Sequence, residues 1–538
     1  MRLLRGLVLT SLAYSSLAAQ AGATACNVRQ FGAAGDGKHL DSPAIQQAIQ
    51  SAAQVGGGTV LVPAGTYLCG SIHLLSNIHL LLDAGAIILA APQSLAAYDP
   101  TEDWHTVAYE DGGHVYFHNS LIWGEDLTNV SITGQGRIEG SRNGEGLVSN
   151  DGILDHMCGY FLWNKPGASL PESKPVRLGN KAIALKLCRN VLLRDITILH
   201  GGHFAVLVTG CDGLTVDNVT MDTNRDGIDI DCCHNATVAN CRINSPNDDG
   251  LCLKSTYALN RVVLTENVTI VKCQVSGFAE GSLWDGTMQP SKLKTGRIKF
   301  GTESTGGFRN CTVSNCTFRS CRGLALEEVD GGSMENITID NLAMQDVFTY
   351  AIYLTIGKRD RTPNSTATSR MRNISISNVT ATGVDSMSGI QVMGLPEQPI
   401  EDIRLSNISL ACDGGGSRED AARVVPELGA GYPEASYLGR LSAYGVFARH
   451  VRGLQLAGIT ISTQAPEQRP AILCEDVDGL DILGFEAPVV PGVPVVPGVP
   501  VVPGVPVVPG VPVAKFTGVE NLKITAAPAL AGIAATNP

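Results

Sequence analysis

The sequence predicts an all-β chain wound into a right-handed, single-stranded parallel β-helix with an N-terminal helical cap. Three observations carry this. From about residue 127 one short phrase recurs, a turn residue followed by alternating apolar positions and another turn. It stands at Asn129-Val130-Ser131-Ile132, Asn190-Val191-Leu192-Leu193, Gly213-Leu214-Thr215-Val216 and Asn267-Val268-Thr269-Ile270, and again from Asn336, Asn373, Gly453 and Gly479. Several intervals are 22 to 26 residues, one solenoid turn in length, and the longer ones carry loops. β-branched residues at alternate positions are strand patterning, and no amphipathic helix separates the copies, which disfavours a βαβ fold. The Leu/Asn spacing of leucine-rich repeats is absent. Aromatics make up only 5% of the chain against 60 glycines, a balance that suits a narrow stacked core with frequent turns.

A chain of 538 residues would ordinarily divide into domains, but repeat folds grow without dividing. The net charge of −12 argues against nucleic acid as a partner and leaves room for a local basic cluster that binds an anion. Residues 1–25 read as a signal peptide: Arg2 and Arg5 precede the apolar run Leu7 to Leu17, and Ala23 and Ala25 offer a cleavage site. The run is short for a membrane anchor, and no other segment is apolar enough to span. The expected product is a secreted or periplasmic monomer with no membrane span.

Residues 26–487 are expected to form the β-helix. Its cap occupies about 27–92, where Ser42 to Ala53 reads as a helix with Pro43 in its first turn. Such a helix covers strand edges that would otherwise be exposed. The first strands begin in Gly56–Gly65. Loops near 98–120 and 141–180 hold Trp104, His105, His114, Tyr116, His118, Tyr160 and Trp163, which either line a groove or anchor the loops. Residues 488–513 repeat Pro-Val-Val-Pro-Gly-Val and read as a flexible loop, because proline removes ladder donors. Residues 514–538 supply the last coil and a tail. Fifteen cysteines, many inside apolar strand phrases such as Asn240–Ile243 and Asn315–Phe318, read as stacked core thiols rather than disulfides. The Asn-x-Ser/Thr phrases read equally as glycosylation acceptors or as asparagines stacked at a repeated turn.

The internal alignment also exposes a site. Asn224-Arg225-Asp226-Gly227-Ile228-Asp229-Ile230-Asp231 sets against Asn247-Asp248-Asp249-Gly250-Leu251-Cys252-Leu253-Lys254 at an offset of 23 residues, one coil. Ile228, Ile230, Leu251 and Leu253 point inward, so the residues between them point outward. Asp226 then stacks on Asp249, and Arg225 on Asp248. Extending the register gives an outward column of Phe204, Asp226, Asp249, Gly296, Arg322 and Tyr350. His203, Arg225 and Asp248 form the neighbouring column, Lys299 lies one column further along, and Asp231 stacks on Lys254 as a structural pair. Carboxylates in the middle, cations on one side and aromatics at the ends suit acid/base cleavage of an acetal: one carboxylic acid protonates the leaving oxygen while the others activate water. Arg297, Lys299 and Arg322 could hold a uronate carboxylate, with His203, Arg225 and Tyr350 as further substrate contacts. No metal or cofactor enters this reading.

These residues resemble glycoside hydrolase family 28, the polygalacturonase and rhamnogalacturonase-like enzymes of the pectin lyase-like β-helix group. Asn224-Arg225-Asp226 is similar to that family's Asn-Thr-Asp, and Asp248-Asp249 to its Asp-Asp one coil on. Phe31–Gly37 and Gly56–Tyr67 are similar to the opening of pectin-degrading β-helix proteins, and the likeness covers roughly residues 27–485. The resemblance implies inverting hydrolysis of a pectic polysaccharide or oligosaccharide, with Asp248 as general acid and with Asp226 and Asp249 holding the nucleophilic water. Two departures stand out. The family's His falls at Gly296, and its Arg-Ile-Lys falls at Ala325-Leu326-Glu327, although Arg297-Ile298-Lys299 occurs one coil earlier. Homogalacturonan and rhamnogalacturonan therefore both stay open as substrates. The rivals are a calcium-dependent polysaccharide lyase and an inactive carbohydrate-binding β-helix.

Overall fold

The computed structural model describes residues 25–102, 112–141, 146–147, 178–362, 365–488 and 511–530. The proposed signal peptide, most of the Pro-Val-Val-Pro-Gly-Val repeat, and Trp104, His105, Tyr160 and Trp163 lie outside them.

The parallel β-helix read from the sequence is the fold the chain adopts. Each mid-chain coil contributes three strands, as in Phe204–Thr209, Asp212–Asp217 and Thr220–Asp222. Each strand pairs in parallel with its equivalent on the next coil: Phe204 opposite Asp226, Asp212 opposite His234, and Thr220 opposite Arg242. Three walls result, enclosing a core of one apolar side chain per wall position per coil. On the wall that carries the carboxylates, Ile183, Val206, Ile228, Leu251 and Ile298 stack in register and are fully buried.

The corners explain the recurring asparagines. Asn129, Asn190, Asn235, Asn267, Asn310, Asn336 and Asn373 have positive φ, a conformation Asn tolerates better than other non-glycine residues. Their side chains also bond to each other, Asn190 Nδ2 donating to Asn129 Oδ1 at 2.8 Å and Asn373 Nδ2 to Asn336 Oδ1 at 2.7 Å. One residue type thus satisfies the bend and the stack together.

The helix Ser42–Gln54 buries Ile45, Ala48, Ile49 and Ala52 against the first coils. Asp41, just before it, accepts from the backbone N–H groups of Ala34 and Gly35 and so ties down the opening turn. At the far end, Ala514–Glu520 and Lys523–Thr525 pair with the strand Ile472–Glu486. No helix among the described residues is long and apolar enough to cross a membrane.

The fourteen described cysteines are free thiols, all buried except the partly exposed Cys26. Most stack as core side chains: Cys188, Cys211 and Cys233 share one column, and Cys241, Cys273 and Cys316 another. Alkylation of the native protein followed by mass spectrometry should therefore label Cys26 and spare the other thirteen until denaturant is added. Early labelling of Cys241 or Cys273 would contradict the buried thiol columns.

Candidate active site

The site stands on four consecutive strands of one wall, Phe204–Thr209, Asp226–Asp231, Leu251–Ser255 and Ile298–Ser304. Ile228 opposes Leu251 and Ile230 opposes Leu253, which carries the 23-residue offset back to Asp226 and Asp249. The backbone completes that register, Gly227 N–H donating to the Asp249 carbonyl at 3.0 Å. Asn224 and Asn247 are joined side chain to side chain, anchoring the turn before each acid.

This stacking brings the three aspartates together: one carboxylate oxygen from each of Asp226, Asp248 and Asp249 lies within 4.8 Å of the others. Their surroundings differ. Asp226 is 3% exposed and Asp249 1%, whereas the Asp248 side chain keeps 29% of its surface and pairs with Arg225 at 2.8 Å. Burial pushes the Asp226 carboxyl well above the usual range, and the neighbouring charges of Asp248 and Asp229 add to the effect. Burial acts on Asp249 in the same direction, but Arg297 and Lys299 outweigh it and hold that carboxyl below its ordinary value. Arg297 Nε donates to Asp249 Oδ1 at 2.7 Å, and Lys299 Nζ lies 3.5 Å from Oδ2. The two buried acids are thus pushed in opposite directions, Asp226 toward the neutral form and Asp249 toward the ionised one.

The cations expected to meet substrate are mostly engaged by protein carboxylates. Arg297 and Lys299 are each 2% exposed. Arg297 also contacts the Tyr350 hydroxyl and reaches Glu434 at 2.8 Å. Lys299 donates to Thr302 Oγ1 at 2.7 Å and lies 3.3 Å from Glu327. Arg322 donates to Glu434 at 2.6 Å. Tyr350 is fully buried, and His203, 1% exposed, packs its ring against Phe204.

Two details of register differ from the expected column. Arg322 opposes Phe348 rather than Tyr350; an irregularity follows, and pairing resumes at Leu324 opposite Ile352. The extra residues let Tyr350 reach back to Arg297. Asp231 does oppose Lys254, yet Lys254 pairs with Glu303 at 2.7 Å while Asp231 accepts from Thr256. Strand register places backbones, and long side chains reach across coils to the strongest partner. In the described part of the first loop, the anchoring role prevails. Tyr116 is buried with Lys181 Nζ 3.8 Å from its ring centre, and His118 stacks on Trp123.

Sequence reasoning singled out neither Asp229, Glu303 nor Glu434, and named His114 only among the loop residues. Asp229 and His114 are both fully buried and 3.7 Å apart. Glu303 follows Lys299 in a bulged stretch that hides its facing. Glu434 arrives from 137 residues away in a stretch without repeat pattern, so nothing local pointed to it.

The donor set does not fit a divalent cation. An ion among the three aspartates would face the charges of Arg225, Arg297 and Lys299, which already neutralise two of the acids.

The comparisons match this parallel β-helix, which carries the clustered aspartates, to proteins of one fold. Residues 25–252 match a family model described as rhamnogalacturonase A/epimerase, pectate lyase-like. A probable polygalacturonase of Vitis vinifera is 23% identical over 76% of this chain and 78% of its own length. Among solved structures, an exopolygalacturonase from Thermotoga maritima superposes with a TM-score of 0.55 at 22% identity, over 72% of this chain and 86% of that one. A family 28 exopolygalacturonase of Yersinia enterocolitica gives 0.55 at 17%, over 86% and 77%. The resemblance to glycoside hydrolase family 28 is borne out as a likeness: at low identity the chain is similar to polygalacturonases.

The opposite shifts of the two buried acids predict opposite mutational effects. Asp249's folded value lies below its unfolded one, so its stabilisation is present above the ordinary value of 3.8 and fades as pH falls below it. Asp249→Asn should lower stability at neutral pH by about 3–5 kcal/mol, because Arg297 and Lys299 lose a buried partner, and the deficit should shrink in acid below that value. Asp226's folded value is raised, so its cost to the fold grows as pH rises toward that value. Asp226→Asn should accordingly raise stability at pH 7. Denaturant titrations across pH check both signs.

Proposed function

We propose that the protein is a secreted glycoside hydrolase that cleaves pectic polysaccharide or its oligosaccharides through Asp226, Asp248 and Asp249. The observation that carries the reading is the convergence of three carboxylates with unlike surroundings on one wall. Asp249, held toward the ionised form by Arg297 and Lys299, activates the water, and Asp226 positions it. Asp248, the most exposed of the three, protonates the leaving oxygen. Inverting enzymes usually separate their two carboxyl groups by about 6.5–9.5 Å to admit the water. Here the closest oxygens are nearer, and a third carboxylate lets Asp226 and Asp249 flank the water while Asp248 acts from the rim. Arg225 and His203 are the substrate contacts on the Asp248 side. Arg297 and Lys299 act through Asp249 by holding its charge, and Tyr350 acts through Arg297. Relatives named as polygalacturonases support the pectic substrate. Export rests on the leader-like first 25 residues.

The lyase reading needs a calcium ion that the cationic surroundings of Asp249 oppose, and the inactive reading leaves the convergence of three carboxylates without a role. Replacing Asp248 or Asp249 by Asn should lower kcat on pectic substrates by about 10²–10⁴-fold, with saturated product ends and no sensitivity to chelator. The first product, followed by NMR, should carry the inverted anomer. Unsaturated ends, or wild-type turnover in Asp248→Asn, would sink the assignment.

A further inference from the structure

The outward face of the catalytic wall is covered on both sides of the aspartates. Toward the N-terminal coils the segment 112–118 lies against it, with Phe117 buried among Ala184, Phe204 and Leu207, and His114 edge-on to Phe204 at 4.9 Å. Toward the C-terminal coils the segment 413–445 crosses it. Leu438 and Leu441 bury there against Ala325, Tyr353, Phe447 and Leu473, and the Tyr353 hydroxyl donates to the Pro433 carbonyl at 2.6 Å. Among the described residues, Arg225 and Asp248, between these two covers, keep 25% and 29% of their side-chain surface.

Glu434 follows Pro433 in the C-terminal cover. Its carboxylate, 6% exposed, accepts from Arg297 Nη2 at 2.8 Å and Nη1 at 3.3 Å, and from Arg322 Nη1 at 2.6 Å. Two guanidinium groups converging on one carboxylate is the arrangement proteins use to recognise an acidic ligand. The same Arg297 holds Asp249 through Nε, so a single guanidinium separates Glu434 from the ionised aspartate. Burial disfavours the Glu434 charge, yet Arg297 and Arg322 prevail and keep its carboxyl below the ordinary range. The segment that carries it is pinned by apolar contacts that do not depend on the ion pairs.

We propose that Glu434 is a built-in stand-in for a uronate: it fills the carboxylate position next to Asp249, closes the cleft at that end, and restricts cleavage to the terminus of a saccharide chain. A polymer cannot run past Asp249 while the segment 413–445 occupies the wall, so Arg297 and Arg322 hold a barrier and Glu434 sets the specificity. The inference rests on the glycosidase reading above and narrows it to exo action.

Two measurements test it. The wild-type protein is given homogalacturonan, and its products are separated by chromatography while viscosity is followed. Mono- or disaccharide as the first product, with viscosity almost constant through early turnover, is expected. A ladder of mid-length oligosaccharides with an early collapse of viscosity overturns the proposal. Absence of cleavage on any pectic substrate counts against the glycosidase reading instead, and the second measurement then decides the Glu434 assignment by itself. In it the thermal midpoints of Glu434→Ala and wild type are compared with and without free galacturonate. The variant should lose about 5 °C or more, because the buried Arg297 loses one of its carboxylate partners and the part-buried Arg322 loses its own, and galacturonate should restore more of that loss than it adds to the wild type. An equal response of the two proteins overturns the assignment. Should Glu434→Ala fail to fold, Glu434→Ser, which also vacates the carboxylate position, takes its place in the same comparison.

Discussion

Coils stacked about 4.8 Å apart bring whatever stands at equivalent positions on neighbouring turns into contact. Apolar residues turn this into a continuous core, and asparagines at the corners turn it into a ladder of amide bonds. At Asp226 and Asp249 the same spacing sets two acids side by side, which is unfavourable unless one keeps its proton or a cation intervenes. The protein does both. Asp226 is driven toward the neutral form, and Arg297 and Lys299, from the following coil, hold Asp249 ionised. The rest of the site follows from how that conflict is resolved.

Compensation spreads outward because buried charges need partners on every side. Arg297 neutralises Asp249 and leaves its other edge to Glu434, which in turn takes Arg322. Lys299 bridges Asp249 and Glu327 across two coil spacings. Glu327 stands where the family's pattern has a basic residue, and the Arg-Ile-Lys one coil earlier is the source of the cations that face it. The departures seen in the sequence are therefore one rearrangement: basic residues moved a coil toward the aspartates, and acids filled the positions beyond.

Where the sequence was legible, a periodic constraint made it so. The strand phrases, the turn residues at positive φ and the 23-residue offset between Asp226 and Asp249 all repeat, and repetition survives without knowledge of distant contacts. The free, stacked cysteines were readable for the same reason, since their places inside apolar strand phrases fix which way they point. Legibility failed where the period breaks. The irregularity after Arg322 moved Tyr350 out of its expected column, and the bulge after Leu253 hid the facing of Glu303.

By itself the sequence determined the solenoid, the wall on which the acids stand and which three of them meet, because each depends on spacing within or between adjacent turns. Only the tertiary structure decided that Asp226 and Asp249 are pushed in opposite directions, that Arg297 and Lys299 turn to Asp249, and that a carboxylate from 137 residues away pairs with Arg297. Those outcomes depend on burial and on partners brought by non-repeating segments. Electrostatic energy in a covered site is set by whatever lies within a few ångströms, regardless of distance along the chain.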